Sequence, residues 1–137
     1  MSFILDTCAV SELSKSQPAP GVLEWFNQCS PELLHISALT VGELHYGVAK
    51  LPEGKKKNDL FQWLEELEIA FSGHILPLSD RTCIRWGEER ARLERIGNPT
   101  PVIDSLIAAT ALNYNYALVT RNVENFSPFK IKIINPW

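Results

Sequence analysis

Phe3-Ile4-Leu5-Asp6-Thr7 is a short apolar run that ends abruptly on a carboxylate. Three consecutive large apolar residues fit a strand buried on both faces, the usual condition of strands in parallel sheets. The same pattern returns along the chain. Leu33-Leu34-His35-Ile36 predicts a second strand, Ile75-Leu76 a third and Ala117-Leu118-Val119 a fourth, with Ile131 to Ile134 a fifth at the edge. Helical stretches separate them. One covers Val10 to Lys15 and is broken by Pro18-Ala19-Pro20-Gly21; another covers Val22 to Cys29. Ala38 to Leu51 follows, with Val41, Leu44, Val48 and Leu51 at helical spacing. Pro52-Glu53-Gly54 stops it, and Leu60, Leu64, Leu67 and Phe71 mark the apolar face of the next helix. Ser79 caps a long helix that reaches Ile96 and ends at Gly97-Asn98-Pro99. Thr100 is placed to cap the last long one, with Pro101 at its first position.

Strands separated by helices imply right-handed crossovers. The expected fold is therefore α/β, a parallel sheet of four to five strands flanked by helices on both faces. In such sheets ligands bind beyond the carboxyl ends of the strands. A chain of 137 residues with 45% apolar and 21% charged residues suits one globular domain over residues 1–137. No apolar stretch approaches the ~20 residues that span a bilayer, and Met1-Ser2-Phe3-Ile4 does not begin a signal peptide, so a cytoplasmic protein with no membrane contact is expected. Cys8, Cys29 and Cys83 show no C-x-x-C spacing, and His35, His45 and His74 no metal-ligand spacing, so neither a zinc site nor a disulfide framework is indicated. A net charge of −3 argues against simple duplex binding but not against a metal nuclease, in which divalent ions offset carboxylates and attract phosphate.

Three acids stand out. Asp6 follows the first strand, where it suits either a helix N-cap or a metal ligand at the carboxyl edge. Glu43 could close a capping box with Thr40. If Ser37 caps instead, Glu43 is free in the second turn, with Thr40 and Gly47 beside it on the same face. Asp104 shares an apolar stripe with Ile107, Ala108 and Ala111, at i+3, i+4 and i+7. Interaction with a helix N-terminus is worth about 0.3–1 kcal/mol. That is small against the cost of burying a carboxylate, so a cation accounts better for its position. Oxygen-only ligands suit Mg²⁺, which can activate a water and stabilise a phosphodiester's leaving oxygen.

Four segments in order, Ile4-Leu5-Asp6-Thr7, Ile36-Ser37-Ala38-Leu39-Thr40-Val41-Gly42-Glu43-Leu44, Asp104-Ser105-Leu106-Ile107-Ala108-Ala109-Thr110-Ala111 and Val119-Thr120-Arg121-Asn122, resemble the successive motifs of PIN-domain nucleases. Ile134-Asn135-Pro136-Trp137 also resembles this group. The nearest subgroup is the VapC toxins, including FitB-like proteins, of bacterial toxin–antitoxin operons. The resemblance implies a PIN-like fold and Mg²⁺- or Mn²⁺-dependent cleavage of RNA. It further implies a VapB-type antitoxin as partner, a homodimer, and assembly with antitoxin into a heterooctamer. It places Asp6, Glu43 and Asp104 at the family's principal acidic positions, as catalytic residues and metal ligands. Thr7 and Thr120 fall on supporting hydroxyl positions, with Asn122 a further supporting residue.

The family often carries a fourth acid where Asn122 or Asn125 stands here, which favours a one-metal site. Asn can hold a metal-bound water but brings no charge. The substitutions also motivate a rival reading, a catalytically inactive PIN-like module that binds RNA or antitoxin. A phosphotransferase with Asp6 as nucleophile would generally need an Asp two residues later, where Cys8 stands. Among basic residues, Arg121 is the leading phosphate contact. Lys55-Lys56-Lys57 reads as a solvated helix start. Arg81, Arg85, Arg92 and Arg95 share about one helix face, which fits an RNA-facing stripe or ion pairs with Glu88 and Glu89 equally well. Trp25, Trp63, Trp86 and Trp137 are too scattered for a base-stacking platform and suit a core or interface. Trp25-Phe26 is a plausible antitoxin-facing patch.

Overall fold

The computed structural model describes residues 1–137. Five strands form one sheet: β1 (Phe3–Leu5), β2 (Leu34–Ser37), β3 (Ile75–Leu76), β4 (Ala117–Val119) and β5 (Ile133–Ile134), in the spatial order β3-β2-β1-β4-β5. Every neighbouring pair is parallel. The chain moves outward from β1 through β2 to β3, then returns to place β4 on the other side of β1. The strand order therefore reverses at β1 and β4, and the crevice above their carboxyl ends is the natural ligand site of such a sheet.

Alternation along β1 sorts its side chains between two cores. Leu5 packs with Leu34, Ile36 and Val119 under α1 (Thr7–Glu12), α3 (Ala38–Ala49) and α4 (Lys55–Ala70). Ile4 faces the other way, with Leu118 and Leu76, against α5 (Asp80–Arg95), α6 (Val102–Tyr114) and α7 (Val123–Phe126). Both faces are covered, as the sequence predicts.

Element starts differ from the expected ones where capping decides them. α1 begins at Thr7, three residues before the predicted start, because Asp6 accepts the Thr7 N–H and turns the chain straight from strand to helix. α2 (Pro20–Gln28) begins at Pro20, which occupies the first turn instead of breaking it. Ser79 caps α5 as predicted, and of the two candidate caps for α3, Ser37 and Thr40, it is Ser37 that serves. Thr100 does not cap α6. Pro101 takes the flanking position with extended backbone, and its carbonyl accepts the Ser105 N–H. β5 is two residues long and does not start at Ile131, its pairing with β4 being Leu118 to Ile133 and Val119 to Ile134.

Trp25 and Phe26 are partly buried. Trp25 meets Phe3 edge-on at 5.2 Å and Phe26 edge-on at 5.3 Å, and both pack against the first core.

The segment after β5 folds back over α2. A Cβ on Gly21 would overlap the Pro136 carbonyl. Gly21→Ala is expected to destabilise the protein by about 1–3 kcal/mol, as overpacking does. Gly87, exposed in the middle of α5 with open space around its Cα, should give the opposite sign. Gly87→Ala is expected to stabilise by about 0.5–1 kcal/mol. Urea denaturation of the two variants checks both values.

Candidate metal centre

Asp6 is 3% exposed, and its carboxylate is held by neutral donors. Oδ1 accepts the Thr7 backbone N–H at 2.8 Å. Oδ2 accepts the Thr120 hydroxyl at 2.8 Å and lies 3.4 Å from Cys8 Sγ. Thr120 follows β4, and its own Oγ1 accepts the Asn122 N–H at 3.0 Å. The helix-cap role and a site role are thus compatible in Asp6, because the cap uses one of its two oxygens.

Because Ser37 caps α3, Glu43 is free of a capping box. The Thr7 hydroxyl donates to Glu43 Oε1 at 2.5 Å and lies 3.2 Å from the Thr40 hydroxyl. Thr7 therefore touches two of the predicted acids, Asp6 through its N–H and Glu43 through its side chain.

Asp104, in the first turn of α6, is half-buried beside fully buried Ile107, Ala108 and Ala111. Asn125 Nδ2 donates to its Oδ2 at 2.9 Å. Asp104 thus has a protein partner that the apolar stripe did not disclose. Burial first, and then the negative charges of Asp6 and Glu43, push its carboxyl above the ordinary value; the Asn125 bond opposes this. Burial followed by the Asp6 charge likewise raises the Cys8 thiol.

No Lys, Arg or His pairs with Asp6, Glu43 or Asp104. Three carboxylates that repel one another are held by hydroxyls, an amide and a backbone N–H. Their oxygen-only chemistry fits a hard divalent cation, which would relieve that repulsion. They do not form a closed cage, for no three Asp, Glu, His or Cys side chains are placed to ligate one ion directly. Mg²⁺ keeps several waters and needs only one or two carboxylates. Donor chemistry, and not cage geometry, is what suits these residues to such an ion.

Asn122 contributes its backbone to Thr120, while its exposed side chain makes no hydrogen bond. Asn125 is the Asn that reaches the acids. Cys8 was missed as a neighbour of Asp6, although its spacing of two from an acid at a helix start gave the signal. Arg121 is exposed, its guanidinium 5.2 Å from the centre of the Trp137 ring. Trp137 Nε1 in turn donates to Glu12 at 3.2 Å. Glu12, 4% exposed, also accepts from Lys15 and the Ala19 N–H, and the Lys15 bond is the main reason its carboxyl lies below the usual range. Nothing in the sequence pattern marks Glu12 as buried, because Trp137, which bonds to it, lies 125 residues away.

A family model described as the PIN domain matches residues 3–129. The chain is 35% identical to the VapC ribonuclease Y4jK of Sinorhizobium fredii, over 98% of this chain and 96% of that protein. It is also 35% identical to Toxin FitB of Neisseria gonorrhoeae, over 98% and 97% of the two chains. The chain belongs to the PIN-domain family, in its VapC/FitB group. The crystal structure of FitAcB from Neisseria gonorrhoeae superposes on this PIN domain with a TM-score of 0.93 at 34% identity, covering 98% of each chain.

The raised carboxyl of Asp104 has a consequence for the metal-free PIN domain. A group that binds its proton more tightly when folded adds stability at low pH and loses it as pH rises through the folded value. Asp104→Asn removes the charge and keeps an acceptor for Asn125. In EDTA at pH 7 this variant is expected to have a higher urea midpoint than wild type. The difference should disappear near pH 3, where both side chains are neutral. A lower midpoint at pH 7 would show that the three charges are not in conflict.

Proposed function

We propose that this protein is a Mg²⁺-dependent endoribonuclease, the toxin of a VapBC-type toxin–antitoxin pair. The observation that carries this reading is the set of three carboxylates, uncompensated by any cationic side chain, at the switch point of a PIN sheet. The ribonuclease name of the Sinorhizobium relative and the toxin name of the Neisseria relative support it. Asp6 and Asp104 would hold the ion, and Glu43 would complete the set directly or through water. When bound, the ion supplies an activated water and positive charge against the phosphodiester; Mn²⁺ can substitute.

The chain's own groups then orient and screen. Thr7 fixes Asp6 and Glu43 relative to each other, Thr120 fixes the outer oxygen of Asp6, and Asn125 fixes Asp104. Such partners of metal ligands typically control affinity or activity by about 10–100-fold. Arg121, stacked on Trp137, stands at the rim with its donors free to take a phosphate oxygen. In-line attack by water would break the P–O3′ bond, the leaving 3′ oxygen taking up a proton from solvent, so the products would carry a 5′-phosphate and a 3′-hydroxyl, with no role for the 2′-hydroxyl. The group's complexes, FitAcB among them, support a VapB-type antitoxin as partner. We assign the homodimer and the heterooctamer with antitoxin on the same family basis. No helix is long and apolar enough to cross a membrane, and we place the RNA substrate in the cytoplasm on the family basis alone.

Purified protein is expected to cut single-stranded RNA with Mg²⁺ and to stop on addition of EDTA. Asp6→Asn, which retains an acceptor for Thr7, and Asp104→Ala should each lose at least about 100-fold in rate, beyond the range for indirect partners, with unchanged circular dichroism. End-labelling of the fragments reads the 5′-phosphate. Wild-type rates in Asp104→Ala would refute the mechanism. RNA binding without cleavage by the wild type at any divalent-ion concentration would establish the inactive module instead.

A further inference from the structure

A furrow leads away from the carboxylates between α1, α3 and α4. Its inner part, about 300 Å³, opens on Thr7 and Glu43 and is walled by Leu44, Leu60 and Trp63. Its outer part, about 570 Å³, is lined by Ser16, Gln17 and Lys15. Ser11, Ser14, Lys56 and Leu60 border both, so the two parts are continuous. These volumes lie in the range of small-ligand sites.

Lys56 is set apart from its neighbours. Lys55 is paired with Asp59 at 2.7 Å, and Lys57 with Glu53 at 2.7 Å and the Ala49 carbonyl at 3.1 Å. Lys15 is paired with Glu12 at 3.0 Å. Of the lysines along the furrow, Lys56 alone has no acidic partner. The α4 wall therefore offers both an uncompensated cation, Lys56, and, at i+4 and i+7 from it, the apolar surface of Leu60 and the half-buried Trp63; the hydroxyls of Ser11 and Ser14 come from α1 and the residues after it. A cationic track beside an aromatic surface is the general chemistry for holding a single nucleic-acid strand, phosphate on the one and base on the other.

We propose that this furrow seats the RNA strand on one side of the scissile phosphate, with Lys56 contacting a backbone phosphate and the Leu60–Trp63 wall taking an unstacked base. The inference rests on the nuclease reading, and it addresses a physical difficulty in that reading. A protein of net charge −3 with three clustered acids repels RNA unless cations contact the strand away from the metal. In the outer part, lined by Lys56 and Lys15 and by no carboxylate, charge complementarity thus favours a polyanion over a neutral apolar helix.

The experiment compares Lys56→Gln, Lys56→Arg and Lys55→Gln, all at exposed positions. A fluorescein-labelled single-stranded RNA 12-mer is titrated by anisotropy in EDTA, where binding is read without cleavage. Lys56→Gln is expected to raise Kd at least fivefold. Lys56→Arg and Lys55→Gln should remain within twofold of wild type. Loss of one phosphate contact should reduce the slope of log K against log salt by about 0.7 in Lys56→Gln. With Mg²⁺ present, the loss in kcat/KM of this variant should fall on KM. Equal Kd for Lys56→Gln and Lys55→Gln would overturn the proposal, and equal KM in a cleaving enzyme would do so while leaving the nuclease reading intact. Weakened RNA binding by Lys56→Gln, with no cleavage by the wild type, would uphold the furrow and refute the nuclease reading. If Lys56→Gln weakens only the binding of a VapB-type antitoxin, the furrow is a protein-docking site and the proposal falls.

Discussion

The hydrogen bond from Thr120 Oγ1 to Asp6 Oδ2 joins the ends of β1 and β4, the two strands at which the sheet reverses its order. It fixes a buried carboxylate without neutralising it. A lysine or arginine in place of Thr120 would have satisfied Asp6 electrostatically and removed the reason for a metal. The same economy appears at Glu43, held by Thr7, and at Asp104, held by Asn125. Each acid is oriented by a neutral donor, so negative charge accumulates above the switch point. Burial and mutual repulsion then raise Asp104. The fold keeps that conflict because rigid strand ends and helix starts hold the groups in place.

The cationic residues show the complementary arrangement. Arg85 and Arg92 both turn to Glu89, and Arg90 to Glu94, along α5. Ion pairing within the helix thus accounts for the middle of the arginine stripe, with Glu89 as the acid. Lys55 and Lys57 are likewise paired. Exposed pairs of this kind contribute little to stability, but they withdraw charge from the surface field. Arg121 and Lys56 are the cations near the centre that this pairing leaves available. Both stand beside groups of the site, Lys56 in the furrow with Glu43 and Arg121 next to Thr120, a local polarity that the net charge of −3 conceals.

The segment after β5 links this polarity to the fold. Trp137 carries Arg121 on its ring and reaches Glu12 through its indole N–H. Pro136 lies against Gly21, where only a glycine leaves room. One edge of the sheet, α1 and the start of α2 are thereby joined, and Arg121 gains a defined platform.

The sequence by itself determined the strand–helix alternation, the parallel sheet and the candidacy of Asp6, Glu43 and Asp104. Those signals are local: an apolar run before an acid, a serine at the end of a strand, an acid on an apolar stripe. It also offered Ser37 and Thr40 as alternative caps of α3 and left the release of Glu43 to depend on that choice, which the structure makes in favour of Ser37. Only the tertiary structure decided which neutral groups hold the acids. Asn125 rather than the Asn122 side chain reaches Asp104, and Thr7 bridges two acids 37 residues apart in sequence. Glu12 is buried because the Lys15–Ala19 stretch and Trp137, 125 residues away, converge on it, and Trp25 packs edge-on between Phe3 and Phe26. Periodicity reports which face of an element is apolar. It does not report which element lies opposite, and hydrogen bonds across such distances depend on that second fact.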